Sequence, residues 1–370
     1  MKKKIAYILT NYTTKPDGIA IYSENILFEL YKYECSIDIY ILKKNAYFFL
    51  ERLKKNNKLI LKNIIIKEVN FKSRFVVNLY LNIILNIKKY NLVVHPSLVP
   101  VLNIKNKSIK VIHDYTFKKF NKSLSFFQNI YKHILHYFII FDNYVGYISK
   151  TTLKDINYLG HNFIKKKNKI YLPNGLPYSF QQKNVSKETF KNKIIFLFVG
   201  SKNLHKGFDK AIKLVNCFSK IYPNYEIDAL FAGKKKYQTN LILNENKLSD
   251  KVNYKFYDYV DDKLLSDLYE KSHFLIFLSK SEGFGLPILE AIKFKCFPIL
   301  SNLNIFREII NIKDYPLFLV QDNLTELSKN IDNLITDVNY RNSMYKLLDK
   351  ILYLNKDNFK SCSKKIIKLL

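Results

Sequence analysis

The sequence predicts an α/β chain made of two parallel-sheet halves in succession. Three observations carry that prediction. Short apolar runs alternate with stretches of helical periodicity nearly throughout, the order expected of a parallel sheet covered on both faces. The pattern stops at a cluster of loop formers, Pro173, Asn174, Gly175 and Pro177, and then starts again. The 370 residues, 48% of them hydrophobic, suffice for two ordinary cores.

In the first half the runs Ile5–Thr10, Ser36–Leu42, Asn91–His95, Ile109–Asp114 and Tyr144–Ser149 read as strands. A helix opens at Gly18 with "GIAIYSENILFELYKY". In the second half Ile194–Gly200, Ile227–Gly233 and Phe274–Ser279 read as buried strands. Phe208, Ile212, Val215 and Phe218 recur at helical spacing between the first two. The expected division is 1–175, 176–350 and a final helix, 351–370, that crosses back to the first half. Ligands of open parallel sheets sit at the carboxyl ends of the strands, so a central cleft between two facing sheets is the expected site.

Composition excludes several classes. High apolar and aromatic content excludes a disordered chain. Cys35, Cys217, Cys296 and Cys362 form no C-x-x-C pair, so neither a zinc knuckle nor a redox motif is expected, and the thiols read as reduced and inert. "MKKK" is followed by a segment too short and too polar for a signal peptide. The longest apolar stretch, Phe75–Ile87, is broken by three asparagines, so no membrane span is expected. A cytoplasmic location fits, extending to the inner face of the cytoplasmic membrane. The formal charge of +30 has two readings: a solvated lysine coat, or an anionic partner such as phosphate, acidic lipid or nucleic acid. The lysines are dispersed, with no compact polybasic tail.

The chemistry concentrates in "SEGFGLPILE", Ser281–Glu290. Pro287 suits the first turn of a helix, where its missing N–H costs nothing. That helix starts near Gly285 or Leu286, which puts Glu290 about one turn inside. Glu282 sits before the turn. Gly283 and Gly285 let backbone approach a ligand closely, and the amides of Phe284, Gly285 and Leu286 make an anion site at the helix N-terminus. Two carboxylates beside an anion site suit a ligand that also carries hydroxyls, because a carboxylate accepts two such bonds. A sugar joined to a nucleoside diphosphate has all three parts. A second turn, "FVGSKNLHKGFDK", places Ser201, Lys202 and Lys206 after a strand, where lysines neutralise a diphosphate.

These segments carry a family resemblance. "GSKNLHKGFD", "GFGLPILEA" behind Glu282, and the upstream "YLPNG" resemble the retaining glycosyltransferases of family 4, which have the GT-B fold of two facing Rossmann-like domains. The likeness is nearly continuous through "KVNYKFYDYVDDKLLSDLYEKSHFLIFLSKSEGFGLP" and looser in the first half, at "DGIAIYSENILFEL", "VIHDY" and "YISKTTLKDI". It implies a first domain that takes the acceptor and a second that takes a nucleotide-sugar donor. It implies that Glu290 holds the ribose hydroxyls, Glu282 the hydroxyls of the transferred sugar, and Lys206 the diphosphate. It gives the amides of Phe284, Gly285 and Leu286 to the sugar or diphosphate, places His113 near the sugar, and puts Gly18 by the donor phosphates. The His113-Asp114 context is one that fixes an imidazole tautomer. Ser201 stands where the family often has arginine, and Lys202 is the expected substitute. Lys295 stands where the family usually ends this helix with glycine.

The resemblance implies transfer of a hexose-type sugar to a glycan or lipid-linked acceptor, in cell-surface polysaccharide or glycolipid biosynthesis. No D-x-D triplet occurs, and lysines with a helix dipole can do a metal's electrostatic work, so no metal or other cofactor is expected. No carboxylate stands out as a covalent nucleophile, which favours front-face substitution. The basic-aromatic segment Phe117–Ile140 suits either an amphipathic core helix or a peripheral contact with an anionic membrane. Two other classes stay open: another GT-B nucleotide-sugar enzyme, an epimerase or an inverting transferase, and a basic nucleic-acid-binding protein. Dispersed lysines count against the last, and no nucleic-acid partner is expected.

Overall fold

The computed structural model describes residues 2–57, 63–119, 126–181, 190–236, 239–319 and 323–370. The chain divides into two compact units, Met1–Tyr178 with Asp357–Leu370, and Ser179–Lys356.

The first unit holds β1 (Lys3–Ile8), β2 (Cys35–Leu42), β3 (Ile64–Val69), β4 (Leu92–His95), β5 (Ser108–Ile112), β6 (Tyr144–Tyr147) and β7 (Asn168–Tyr171). They form one sheet in the order β3-β2-β1-β4-β5-β6-β7, parallel throughout. The inner strands are buried almost end to end, as a sheet covered on both faces requires. The helix Gly18–Tyr31 starts where it does because the Asp17 carboxylate accepts from the Ile19 and Ala20 amides.

The second unit holds β8 (Lys193–Val199), β9 (Glu226–Ala232), β10 (Val252–Tyr257), β11 (Phe274–Phe277), β12 (Phe297–Ser301) and β13 (Phe318–Leu319). Their order is β10-β9-β8-β11-β12-β13, again parallel. Stacked phenylalanines fill its core, Phe196 against Phe218 at 5.4 Å and against Phe274 at 5.5 Å. In each sheet the strand order reverses beside the first strand, between β1 and β4 and between β8 and β11. These are topological switch points, where the loops at the carboxyl ends part and leave room for a ligand.

The chain end belongs to the first unit from Asp357, six residues later than the boundary expected at 351. The reason is packing: the helix Val338–Asn355 buries Met344, Leu348 and Ile351 and runs unbroken past residue 351. The next helix, Asn358–Ile367, lies against Gly18–Tyr31. Three bonds moor it to the end of β7 and the loop after it: Cys362 Sγ to the Pro173 carbonyl at 3.2 Å, the Asn358 amide to Asn174 O at 2.6 Å, and Lys365 Nζ to Tyr171 O at 2.8 Å. None of the four cysteines is in a disulfide, and three of them are buried.

Candidate functional site

In the second unit the switch point sets the loop after β8 beside the loop after β11. The first loop turns at Asn203, whose side chain accepts from the Lys206 amide at 2.9 Å. Gly207 then takes the left-handed conformation, φ 71°. A Cβ there would lie 2.2 Å from the Leu278 carbonyl oxygen, so only glycine lets this turn press onto the chain leaving β11. The Lys280 amide donates to the His205 carbonyl at 2.9 Å and locks the two loops together.

That contact brings Lys206 to Glu282. The ammonium lies 2.6 Å from Glu282 Oε1, which also accepts from Ser279 Oγ at 2.8 Å. Ser279 is positioned in turn by Ser301 Oγ donating to its carbonyl at 2.7 Å. Gly285, φ 121°, caps the helix Leu286–Lys293, with Pro287 in its first turn. Among the described residues the amides of Gly283, Phe284, Gly285 and Leu286 have no acceptor. A cation, an anchored carboxylate and a set of open amides therefore share one loop pair.

Glu290 sits a turn inside that helix and is only 3% exposed. The sequence reading set it one turn inside the helix, flanking the anion site with Glu282; the structure sets it into the wall of the unit. Tyr269 O–H donates to Oε2 at 2.8 Å, and among the described residues Oε1 has no partner. Burial pushes its carboxyl up to about 7, against the Tyr269 hydrogen bond, which favours the charged form. Sequence reasoning missed Tyr269, although its place one residue before Glu270 in an amphipathic helix gave no signal of its role.

Lys202 does not fill the place expected of it. The residue is fully buried, and its ammonium donates to the carbonyls of Gly233 and of Tyr257, the latter at 2.6 Å. It ties the loops that follow β8 and β9 to the end of β10, and burial pulls its pKa down. Ser201 is half-buried and takes a bond from the Asn203 side chain at 3.2 Å. The basic residue this turn offers to a ligand is Lys206.

The first unit's switch point opens a cavity of about 330 Å³. Asp17, Arg74, Ser97, His113, Asp114 and Lys132 are among its lining. His113 Nε2–H donates to the Pro96 carbonyl at 2.7 Å, which leaves the acceptor lone pair on Nδ1. Burial holds the ring neutral by lowering its pKa. Asp114 was expected to fix this tautomer; its carboxylate accepts from the Thr116 amide instead, and a backbone carbonyl does the fixing. Gly18 is corrected too. It is the first residue of a helix whose Ile19 and Ala20 amides donate to the Asp17 carboxylate, so a negative charge already caps the terminus that was expected to face phosphate.

Of the segment Phe117–Ile140, residues 120–125 lie outside the described residues. The helix Phe126–Tyr137 buries Leu135 and His136 and exposes Ile130, Ile134 and Tyr137. Among the described residues no helix is long and apolar enough to cross a membrane, and no group of three His, Cys, Asp or Glu could hold a metal ion.

Comparison with known proteins places this geometry. Residues 180–347 match the family model described as glycosyl transferases group 1. The serotype-specific mannosyltransferase WbdA of Escherichia coli is 29% identical over 117 residues, 31% of this chain and 14% of that relative. An uncharacterized glycosyltransferase of Haemophilus influenzae is 27% identical over 148 residues, 40% of each chain. The matched segments thus span well under two thirds of these relatives. Among solved structures, Anabaena HepE in complex with UDP and glucose superposes with a TM-score of 0.69 at 12% identity, over 99% of this chain and 98% of that one. WaaG, a glycosyltransferase involved in lipopolysaccharide biosynthesis, gives 0.67 at 15% identity, over 98% and 99%. At such identity the likeness is one of fold, and the fold is GT-B, an α/β architecture of two Rossmann-like units. The family match covers nearly the whole second unit, with Lys206, Glu282 and Glu290 inside it, and it bears out the resemblance read from the sequence: this part of the chain is similar to the glycosyl transferases group 1.

Proposed function

We propose that the chain is a retaining glycosyltransferase. It moves a hexose-type sugar from a nucleoside-diphosphate donor to a glycan or lipid-linked acceptor, in assembly of a cell-surface polysaccharide or glycolipid. The observation that carries this reading is the Lys206–Glu282 pair beside the open amides of Phe284, Gly285 and Leu286. The likeness to a mannosyltransferase, and the UDP and glucose held by a structural neighbour, support the same class of donor.

The proposed roles follow from the atoms. The diphosphate takes the Lys206 ammonium and the helix-end amides, which stabilise the charge that develops as it leaves. Glu282, released from Lys206, accepts hydroxyls of the transferred sugar. Glu290 accepts a ribose hydroxyl at Oε1 while Tyr269 steadies Oε2. His113 offers Nδ1 as an acceptor to a hydroxyl of a substrate in the first unit's cavity. In the transfer step the bond from the anomeric carbon to the phosphate oxygen breaks. The acceptor oxygen bonds to that carbon on the same face, and the acceptor proton passes to the departing diphosphate. Retention rests on the family 4 resemblance. The cationic groups supply the electrostatic work, so turnover in EDTA matches turnover without it.

The test is incubation with a panel of nucleotide sugars and glycan or lipid-linked acceptors, with the product anomer read by NMR. A product of the donor's configuration supports the reading. Inversion contradicts retention, and an epimerised sugar formed without acceptor contradicts transfer.

A further inference from the structure

The helix Arg74–Ile87 is apolar on more than its inward side. Val77, Leu81 and Leu85 pack into the first unit's core, which accounts for one face. Phe75, Leu79, Ile83 and Ile87, each four residues from the next, form a second stripe that faces solvent, at 76, 48, 52 and 66% exposure. The patch widens on both sides. Ile104, 78% exposed, is held beside the helix by its amide donating to Asn86 Oδ1 at 3.1 Å. Phe71 leans on Tyr80, ring centroids 5.6 Å apart. A contiguous apolar surface of this kind needs an occupant.

Charge around the stripe identifies the occupant. From Val69 through His113 the chain contains no aspartate or glutamate. Lys72 and Arg74 precede the helix's outward stripe, Lys88 and Lys89 follow it, and Lys105 and Lys107 follow Ile104. A second copy of this chain would set these cations against their own images, with +30 on each partner. A nucleic acid would meet its cations but would lay phosphates on leucine and isoleucine. An anionic bilayer matches both parts, acyl chains for the stripe and headgroups for the lysines. The helix is about 21 Å long at 1.5 Å per residue, too short to span the hydrocarbon core and suited to lie in its plane.

We propose that the outward face of Arg74–Ile87 docks this protein on an anionic lipid surface. The surface is built into the first unit by the fold, and its test reads lipid binding without any turnover.

The experiment is sedimentation of the full chain with vesicles of phosphatidylglycerol or of phosphatidylcholine, across a salt series. The expected result is binding to phosphatidylglycerol that salt weakens, with little binding to phosphatidylcholine. Leu79→Gln with Ile83→Gln loses that binding at least about tenfold, and Lys88→Gln with Lys89→Gln weakens it about fivefold per charge. Circular dichroism confirms that both variants fold, and Phe75→Ser gives a third, independent probe of the stripe. Absence of binding to phosphatidylglycerol overturns the proposal, as does parental affinity in the folded stripe variants. So does a dimer in light scattering that Leu79→Gln with Ile83→Gln splits, or oligonucleotide binding that is lost in the same variant.

Discussion

The Lys206 ammonium and Glu282 Oε1, 2.6 Å apart, join the loop after β8 to the loop after β11. The side chains are 27% and 11% exposed, so the pair is sheltered without being walled in. Its strength as a structural tie is modest, because part-exposed pairs are worth roughly 0–1 kcal/mol. Its value lies in the two charges it stations beside unpaired amides.

Lys206→Ala is expected to lower kcat by about a hundredfold or more, the scale of losing one preorganised charge-stabilising group. Glu282→Ala is expected to do likewise, with the double variant little worse than either, because the two act on one ligand. Thermal midpoints should stay within a few degrees of the parent. Steady-state kinetics and differential scanning calorimetry on the four proteins check this.

Glu290 gives a pH dependence with a definite sign. Only its ionised form accepts two hydroxyl bonds, and burial holds its pKa near about 7. Donor affinity should therefore fall as pH drops below about 7, and Glu290→Gln should bind weakly and flatten the profile. Stability runs the other way. The folded pKa lies above the unfolded one, so the group's stabilising contribution is complete below pH ~4.5 and is lost as pH rises through about 7. Glu290→Gln is accordingly expected to be more stable than the parent at pH 8, by about 3 kcal/mol at most, and no more stable at pH 4. Donor titrations and denaturant melts at the two pH values test both halves.

Gly207→Ala forces a Cβ into the Leu278 carbonyl at a left-handed φ. The expected cost is about 2 kcal/mol or more, with donor affinity falling as the turn lifts and takes Lys206 with it. Denaturant midpoints and donor titration on the variant would show both losses.

Much of the fold could be read from the chain because inner parallel strands are continuous apolar runs. β1, β2, β4, β5, β6, β8, β9 and β11 each announce themselves that way. The strands that escaped are the four sheet edges, β3, β7, β10 and β13, and one inner strand. Edges face water on one side and so mix lysine, asparagine and tyrosine into the pattern, as in "VNYKFY" and "NKIY". β12 was hidden by Pro298, a residue that argues against an inner strand. At the site, the helix start at Gly285–Pro287 was legible from local chemistry, and the family resemblance assigned Lys206 and Glu282 to one donor. The fate of Lys202 was not. A lysine after a strand reads as a ligand for phosphate, and only the tertiary closeness of the Gly233 and Tyr257 carbonyls turns it inward. His113 shows the same limit: its neighbour in sequence was Asp114, but its neighbour in space is the Pro96 carbonyl.

Lys295 sits at φ 55°, where an L side chain is strained. It is paired with Asp349, whose side chain is 60% exposed. Lys295→Ala loses the pair and keeps the strain, whereas Lys295→Gly loses both. The glycine variant is expected to be the more stable of the two by about 1 kcal/mol, with turnover in both equal to the parent. Thermal melts of the pair of variants decide it.

Titration calorimetry of nucleotide sugars against the parent, Lys206→Ala and Glu290→Gln tests the central assignment most directly. The prediction is that the parent binds at least one nucleoside-diphosphate hexose in the range of about 1 μM to 1 mM, and that each folded variant binds it at least about tenfold more weakly. Binding of equal strength in all three proteins, or none by the folded parent across the panel, would contradict the account.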